Sequence, residues 1–274
     1  MSIIAFWSNE DIETGQTMSM AAVATRMAIE HNLKILMINT TMNDRTLEDG
    51  FWPQNKNKNK IIKPKHDMAT GLKGLTRAIP GNKTSPEIIT NYTKIVFKNR
   101  LELLTDAEIT KDDYKKEQDA MKDILTLANQ YYDYVFVDIK GSIEEDRIKE
   151  ILSISNVIVV NITQRMRNIN NFIELKEEEE LLKKGNTLVL IGNYNPRSAK
   201  LSARNIARYI KVKDILYIPF NNMYFEVAND GLVADFFIKF RKIKNTNPNA
   251  SFVEATDNAS ETIIKKIKEL QMRV

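Results

Sequence analysis

Between positions 3 and 218 the chain carries seven short, nearly uninterrupted apolar runs: IIAFW at 3–7, KILMIN at 34–39, LELL at 101–104, YVFVD at 134–138, VIVVN at 157–161, TLVLIG at 187–192 and ILYI at 215–218. A strand with one wet face alternates apolar and polar side chains. Runs without that alternation suit strands covered on both faces, the condition of a parallel sheet. Segments with helical spacing lie between them. Residues 17–31 are rich in Ala and Met, and 112–130 place Met121, Ile124, Leu125 and Ala128 on one face. Residues 172–182 carry an acidic run at 177–180 that reads as a solvated face, and Ser85-Pro86-Glu87 has the form of a capped helix start. The alternation predicts an α/β chain with one mostly parallel, doubly wound sheet flanked by helices, a single domain over 1–274 with no repeat or linker.

Composition removes several classes of function. The absence of Cys excludes disulfides, thiolate nucleophiles and Cys-ligated zinc or iron–sulfur clusters, and His31 and His66 stand too far apart to suggest a multi-histidine metal site. No Ser and His fall at a spacing that suggests a nucleophile–base pair. The net charge of +4 permits contact with nucleic acid or anionic lipid without requiring either. The start lacks the basic, apolar pattern of a secretory signal, and no window reaches the roughly 20 apolar residues of a membrane span. The expectation is a cytoplasmic protein.

Three stretches stand apart from the strand–helix pattern. A basic insertion at 51–66 contains QNKNKNKIIKPK at 54–65, either an exposed loop or one that contacts phosphate or a partner. After Asn195-Pro196, Lys200, Arg204 and Arg208 recur with Arg197 at about helical spacing, either scattered surface charge or a stripe that holds nucleic-acid phosphates. At 260–273 an amphipathic helix is expected, with Ile263, Ile264, Ile267 and Leu270 on one face and Lys265, Lys266, Lys268 and Arg273 elsewhere. It can dock on the protein's own core, on a dimer partner or on an anionic membrane.

The buried first strand, the loop after it, a small-residue helix (SMAAVATRMA, 19–28) and a second strand together resemble the start of the ParA/MinD P-loop ATPases. That family partitions plasmids and chromosomes, places division sites and positions secretion or flagellar machines. Its first loop reads K-G-G-x-G-K-T-T, matched here by Asp11-Ile12-Glu13-Thr14-Gly15-Gln16-Thr17-Met18. Residues 131–139 (YYDYVFVDI) are similar to the family's Walker B strand, with Asp138 in place of its metal-assisting acid, and 155–163 are similar to the next strand. In LIGNYNP (190–196) Asn193 matches the residue that contacts adenine, and in ILYIPFN (215–221) Pro219 matches a C-terminal motif. The resemblance thus implies nucleotide contacts from Thr14, Gly15, Gln16, Thr17, Met18, Asn193 and Pro219, and Mg²⁺ contacts from Thr17 and Asp138.

The loop departs from the pattern where charge matters. A P-loop works because glycines turn backbone N–H groups inward, a lysine pairs the β- and γ-phosphates, and a Ser/Thr hydroxyl reaches Mg²⁺. Gln16 replaces that lysine, Asp11 replaces the family's partner-reaching lysine, and Ile12 and Glu13 replace two glycines. A unit-charge contact at about 4 Å near a protein surface is worth on the order of 4 kcal/mol before desolvation. Losing it while adding carboxylates around a triphosphate would take a micromolar site to about millimolar or weaker, since each ~1.4 kcal/mol is tenfold. The acids that end the family's second strand correspond to Asn39 and Thr41 here. Phosphoryl transfer depends on positioned charge, so a pseudo-ATPase with no bound cofactor is expected, acting as a dimeric scaffold with a partner protein in partition, conjugation or secretion. Other readings stay open. One is a weakly hydrolysing ATPase that binds ATP or ADP with Mg²⁺ through a lysine borrowed from 56–65 or from a second subunit. Another is a sequence-independent DNA-binding module, and a third is a cation held by the acidic loop and Asp138.

Overall fold

A computed structural model describes residues 1–10, 14–53, 71–79, 85–106 and 109–272. The basic stretch at 54–65, loop residues Asp11, Ile12 and Glu13, and Arg273 lie outside the described residues. The strands are β1 (Ser2–Ser8), β2 (Ile35–Asn39), β3 (Lys94–Phe97), β4 (Leu101–Leu104), β5 (Tyr134–Lys140), β6 (Val157–Ile162), β7 (Thr187–Tyr194) and β8 (Leu216–Pro219). Among the described residues they form one sheet in the order β3-β4-β2-β5-β1-β6-β7-β8, parallel except where β3 runs against β4. The helices, in chain order, are α1 (Gln16–Glu30), α2 (Thr46–Asp49), α3 (Gly71–Ala78), α4 (Lys111–Asn129), α5 (Asp146–Ile154), α6 (Met166–Glu178), α7 (Glu180–Lys183), α8 (Ala203–Tyr209), α9 (Asn222–Asn229), α10 (Val233–Lys239) and α11 (Ala250–Gln271).

The apolar runs become two-faced strands because successive side chains enter opposite layers. Ile4, Phe6, Met37 and Phe136 belong to a core shared with α1, α9, α10 and α11. Ile3, Ala5, Trp7, Leu36, Ile38, Val135 and Val137 belong to a second core under α3, α4, α5, α6 and α8. Trp7 is fully buried, and its indole Nε1–H donates to the Gly141 carbonyl at 3.0 Å. The small residues of α1 let it sit close to the sheet beneath α10 and α11, with Ala21, Ala22, Ala24 and Ala28 all buried. An aromatic group closes that layer: Tyr224 lies 4.6–5.8 Å from the rings of Phe236, Phe237 and Phe252, and its hydroxyl donates to the Met18 carbonyl at 2.9 Å.

Several sequence expectations are corrected here. The C-terminal helix begins at Ala250, and its apolar face is covered by the protein itself, with Ile263, Ile264 and Ile267 at 0%, 7% and 2% exposure. Of the alternatives for this helix, docking on the protein's own core is the one these three residues follow. The helix expected over 172–182 is two helices, broken where Glu179 is extended (φ −94°, ψ 111°). Residues Pro86–Asn91 form a 3-10 turn, and the Ser85 side chain makes no capping bond. Lys200 precedes α8 rather than riding on it, so of the expected stripe only Arg204 and Arg208 share a helix. Among the described residues no helix is long and apolar enough to cross a membrane.

Candidate functional site

Parallel sheets of this kind present their working end at the carboxyl edges of the strands. There β1 leads through 11–13 into the first turn of α1. Gly15 takes the left-handed conformation (φ 71°, ψ 14°) that this entry demands. The loop is braced from β7. A Cβ on Gly192 would lie 2.0 Å from the Thr14 carbonyl oxygen, and a Cβ on Gly15 would lie 2.9 Å from Asn193 Cγ. Asn193 itself is left-handed (φ 49°) and lays its side chain against Gly15.

The next residue turns inward. Gln16 is 3% exposed, and its Nε2 faces three oxygens: Asp138 Oδ1 at 2.6 Å, the Ile139 carbonyl at 2.9 Å and the Phe6 carbonyl at 3.0 Å. An amide nitrogen has two protons for these three acceptors, and Gln16 Oε1 is buried without a partner. Thr17 Oγ1 donates to the other carboxylate oxygen, Asp138 Oδ2, at 2.7 Å. Both oxygens of the fully buried Asp138 are thereby engaged from the first turn of α1.

A second layer fixes Asp138 from the side of β2. Asn39 is its register partner, and Thr40 donates to its carbonyl through both N–H (3.2 Å) and Oγ1 (2.8 Å). Asn39 serves its own turn, donating to the Asp44 carbonyl and accepting from the Thr41 N–H. Lys140, two residues beyond Asp138, is paired with Asp44. Burial pushes the Asp138 carboxyl above its usual range; the Lys140 charge and the bonds from Thr17 and Gln16 work against that rise, and Asp44 adds to it. Burial pushes Asp44 the same way, but hydrogen bonds from Lys140 and Thr46 outweigh it and hold Asp44 below its ordinary value.

The structure therefore gathers Thr14, Gly15, Gln16, Thr17, Asp138 and Asn193. It does not bring all expected residues to the cluster. Met18 sends its side chain towards Gly50, and Pro219 ends β8 as the partner of Tyr194. Lys200, Arg204 and Arg208 lie in and before α8, outside the cluster. Among the described residues no three His, Asp or Glu side chains gather as metal ligands. Sequence reasoning passed over Asp44 and Lys140; the spacing Asp138-x-Lys140 was the available signal.

The arrangement is that of a P-loop fold, and comparison of whole structures agrees. The chain has the fold of the ParA and MinD ATPases. A ParA family ATPase from Chlorobium tepidum superposes with a TM-score of 0.68 at 14% identity over 92% of this chain and 96% of that one. MinD from Pyrococcus horikoshii, complexed with Mg-ADP, gives 0.66 at 13% over 97% and 98%. MinD of the Aquifex aeolicus MinC:MinD cell division complex gives 0.62 at 18% over 96% of each chain. No protein-family model and no curated protein sequence matches the chain.

Proposed function

We propose that this protein is a positioning or partition scaffold built on the ParA/MinD fold, with its nucleotide chemistry lost. The observation that carries the reading is the Gln16 amide seated 2.6 Å from Asp138. In the fold's nucleotide-binding members this helix turn is where a lysine and a hydroxyl serve phosphate and Mg²⁺. Here the neutral residue at position 16 is spent on the strand ends, Thr17 is spent on Asp138, and Lys140 is spent on Asp44. A magnesium nucleotide would meet no cation from position 16 and would have to draw the Gln16 amide off its three oxygens, whereas Thr17 keeps a lone pair for Mg²⁺ while donating to Asp138. The described donor set does not fit such a ligand, so no phosphoryl-transfer step is assigned. Assembly as a dimer would then be set by a partner protein in partition, conjugation or secretion. Titration calorimetry with ATP and ADP in Mg²⁺ tests this. Binding at about millimolar or weaker is expected. Micromolar affinity, or phosphate release abolished by Thr17→Ala, would establish the weakly hydrolysing ATPase instead.

A second reading, contact with DNA phosphates, is favoured by a separate observation. Arg165, Arg167, Arg197, Lys200, Arg204 and Arg208 are all exposed, and none makes an ion pair among the described residues. Residues 163–173 and 195–213, which carry them, contain no acid. Gln164 joins the two segments by donating to the carbonyls of Asn195 and Leu201. A gel-shift titration should show affinity falling steeply with salt, by a log–log slope of about −0.9 per phosphate contact. No shift at low ionic strength would end this reading.

A further inference from the structure

A small polar cleft opens at the carboxyl ends of β2 and β4, beside the Gln16–Asp138 cluster but sharing neither residue with it. Its walls include Thr40, Thr41, Thr105 and Tyr114, and Asp106 and Glu117 are part of its lining. The cavity of about 10 Å³ holds one water at most. Asp106 follows β4 and accepts the Lys73 N–H through both carboxylate oxygens, at 3.2 and 3.0 Å, in the first turn of α3. The fit is tight: a Cβ on Gly71 (φ +71°) would lie 2.2 Å from the Thr105 carbonyl oxygen. Glu117, on the buried side of α4, is 2% exposed and lines the same cleft as Asp106, and its Oε1 has no partner.

Two carboxyl groups lining so small a buried cavity cannot both ionise cheaply, and a proton between them removes the conflict. The cations that face the pair are engaged elsewhere among the described residues. Lys73 and Arg77 of α3 pair with Asp113 of α4, Lys94 of β3 pairs with Glu48 of α2, and Lys140 of β5 pairs with Asp44. Tyr114 of α4 donates its hydroxyl to the Thr40 carbonyl, and Glu48 accepts from Thr105.

We propose that Asp106 and Glu117 share one proton that fastens the start of α4 to the end of β4 and the start of α3, and that losing this proton as pH rises loosens α4. The consequence reaches the neighbouring cluster. Tyr114 and Gln118, flanking Glu117 on α4, both donate to the Thr40 carbonyl, and Thr40 in turn clamps the Asp138 carbonyl. Burial raises Glu117 to about 8, with the Asp106 charge adding to the rise, and burial raises Asp106 to about 6. Both lie above their ordinary values, so the folded state holds more protons than the unfolded chain. The stabilisation is complete on the acid side of the ordinary carboxylate range and drains away as pH rises through the folded values.

The test is the pH dependence of urea unfolding of the full chain and of Glu117→Gln, with infrared titration of the carboxyl C=O band of the unmodified protein. Between about pH 5 and about pH 9 the parent's folding constant should fall, by up to about tenfold per pH unit where one proton separates the two states. Glu117→Gln donates to Asp106 at any pH, so its profile should be flatter and it should be the more stable chain at about pH 9. Superimposable profiles, or no protonated carboxyl band near neutral pH, would overturn the proposal. If the variant does not fold, absence of that band still overturns the proposal, and a band that persists in Asp138→Asn supports it.

Discussion

Replacing Gln16 by leucine keeps the size of the side chain and removes its amide. Asp138 Oδ1 would lose the donor at 2.6 Å while remaining fully buried, and the carbonyls of Phe6 and Ile139 would lose theirs. A hydrogen bond to a charged group contributes about 1.5–3 kcal/mol, and stranding a buried acceptor adds to the loss. A total of roughly 2–4 kcal/mol follows, which for a chain of this length lowers Tm by roughly 3–7 °C. The loss should depend on pH with a definite sign. The Gln16 bond favours the ionised form of Asp138, so its removal costs most at pH above the raised folded value of that carboxyl and less below it, where the carboxyl is protonated. Calorimetry of Gln16→Leu, Asp138→Asn and the double variant at two pH values reads both quantities. A coupling energy of about 1–3 kcal/mol is expected between the two sites. A Gln16→Leu chain as stable as the parent, or losses that simply add, would refute the buried amide–carboxylate contact.

The remaining expectations concern other parts of the frame. Gly192→Ala forces a methyl group to 2.0 Å from a backbone oxygen of the loop, so β7 or the loop must move. The urea midpoint should fall by the equivalent of about 1–3 kcal/mol or more, and an unchanged midpoint would contradict the brace. Ile263→Ala opens a hole under α11 and should destabilise by about 2–5 kcal/mol. The parent should not sediment with anionic vesicles, and sedimentation that needs this helix would reverse that conclusion. Lys140→Met frees Asp44, whose carboxyl is held below its ordinary value. The stability difference from the parent should therefore persist above the ordinary carboxylate range and vanish as pH falls through the folded value.

Most of the sheet was legible because a strand buried on both faces needs apolar residues at every position, and 3–7, 134–138 and 157–161 supply them. The edge strand β3 was not. Lys94–Phe97 is a four-residue antiparallel edge whose first two residues are exposed, where packing asks little of the sequence. The first half of α11 was also missed, since 250–259 mixes Ala, Thr, Asp and Asn on a helix whose packing partners are α1 and β8. At the site, the identity of position 16 revealed a missing charge. Its new occupation did not show, because Asp138 stands 122 residues away and only the parallel pairing of β1 with β5 brings their ends together. That Asp106 and Glu117 line one cleft did not show either, because it joins a strand end to a helix turn.

Trp7 closes β1 just before the loop, dry and tethered to Gly141, while Trp52 is partly buried with Lys94 over its ring. The protein thus carries a native optical gauge at the junction where any partner acting on the loop would have to pull. Blue-shifted emission from Trp7 would report, without a label, whether the strand end stays sealed.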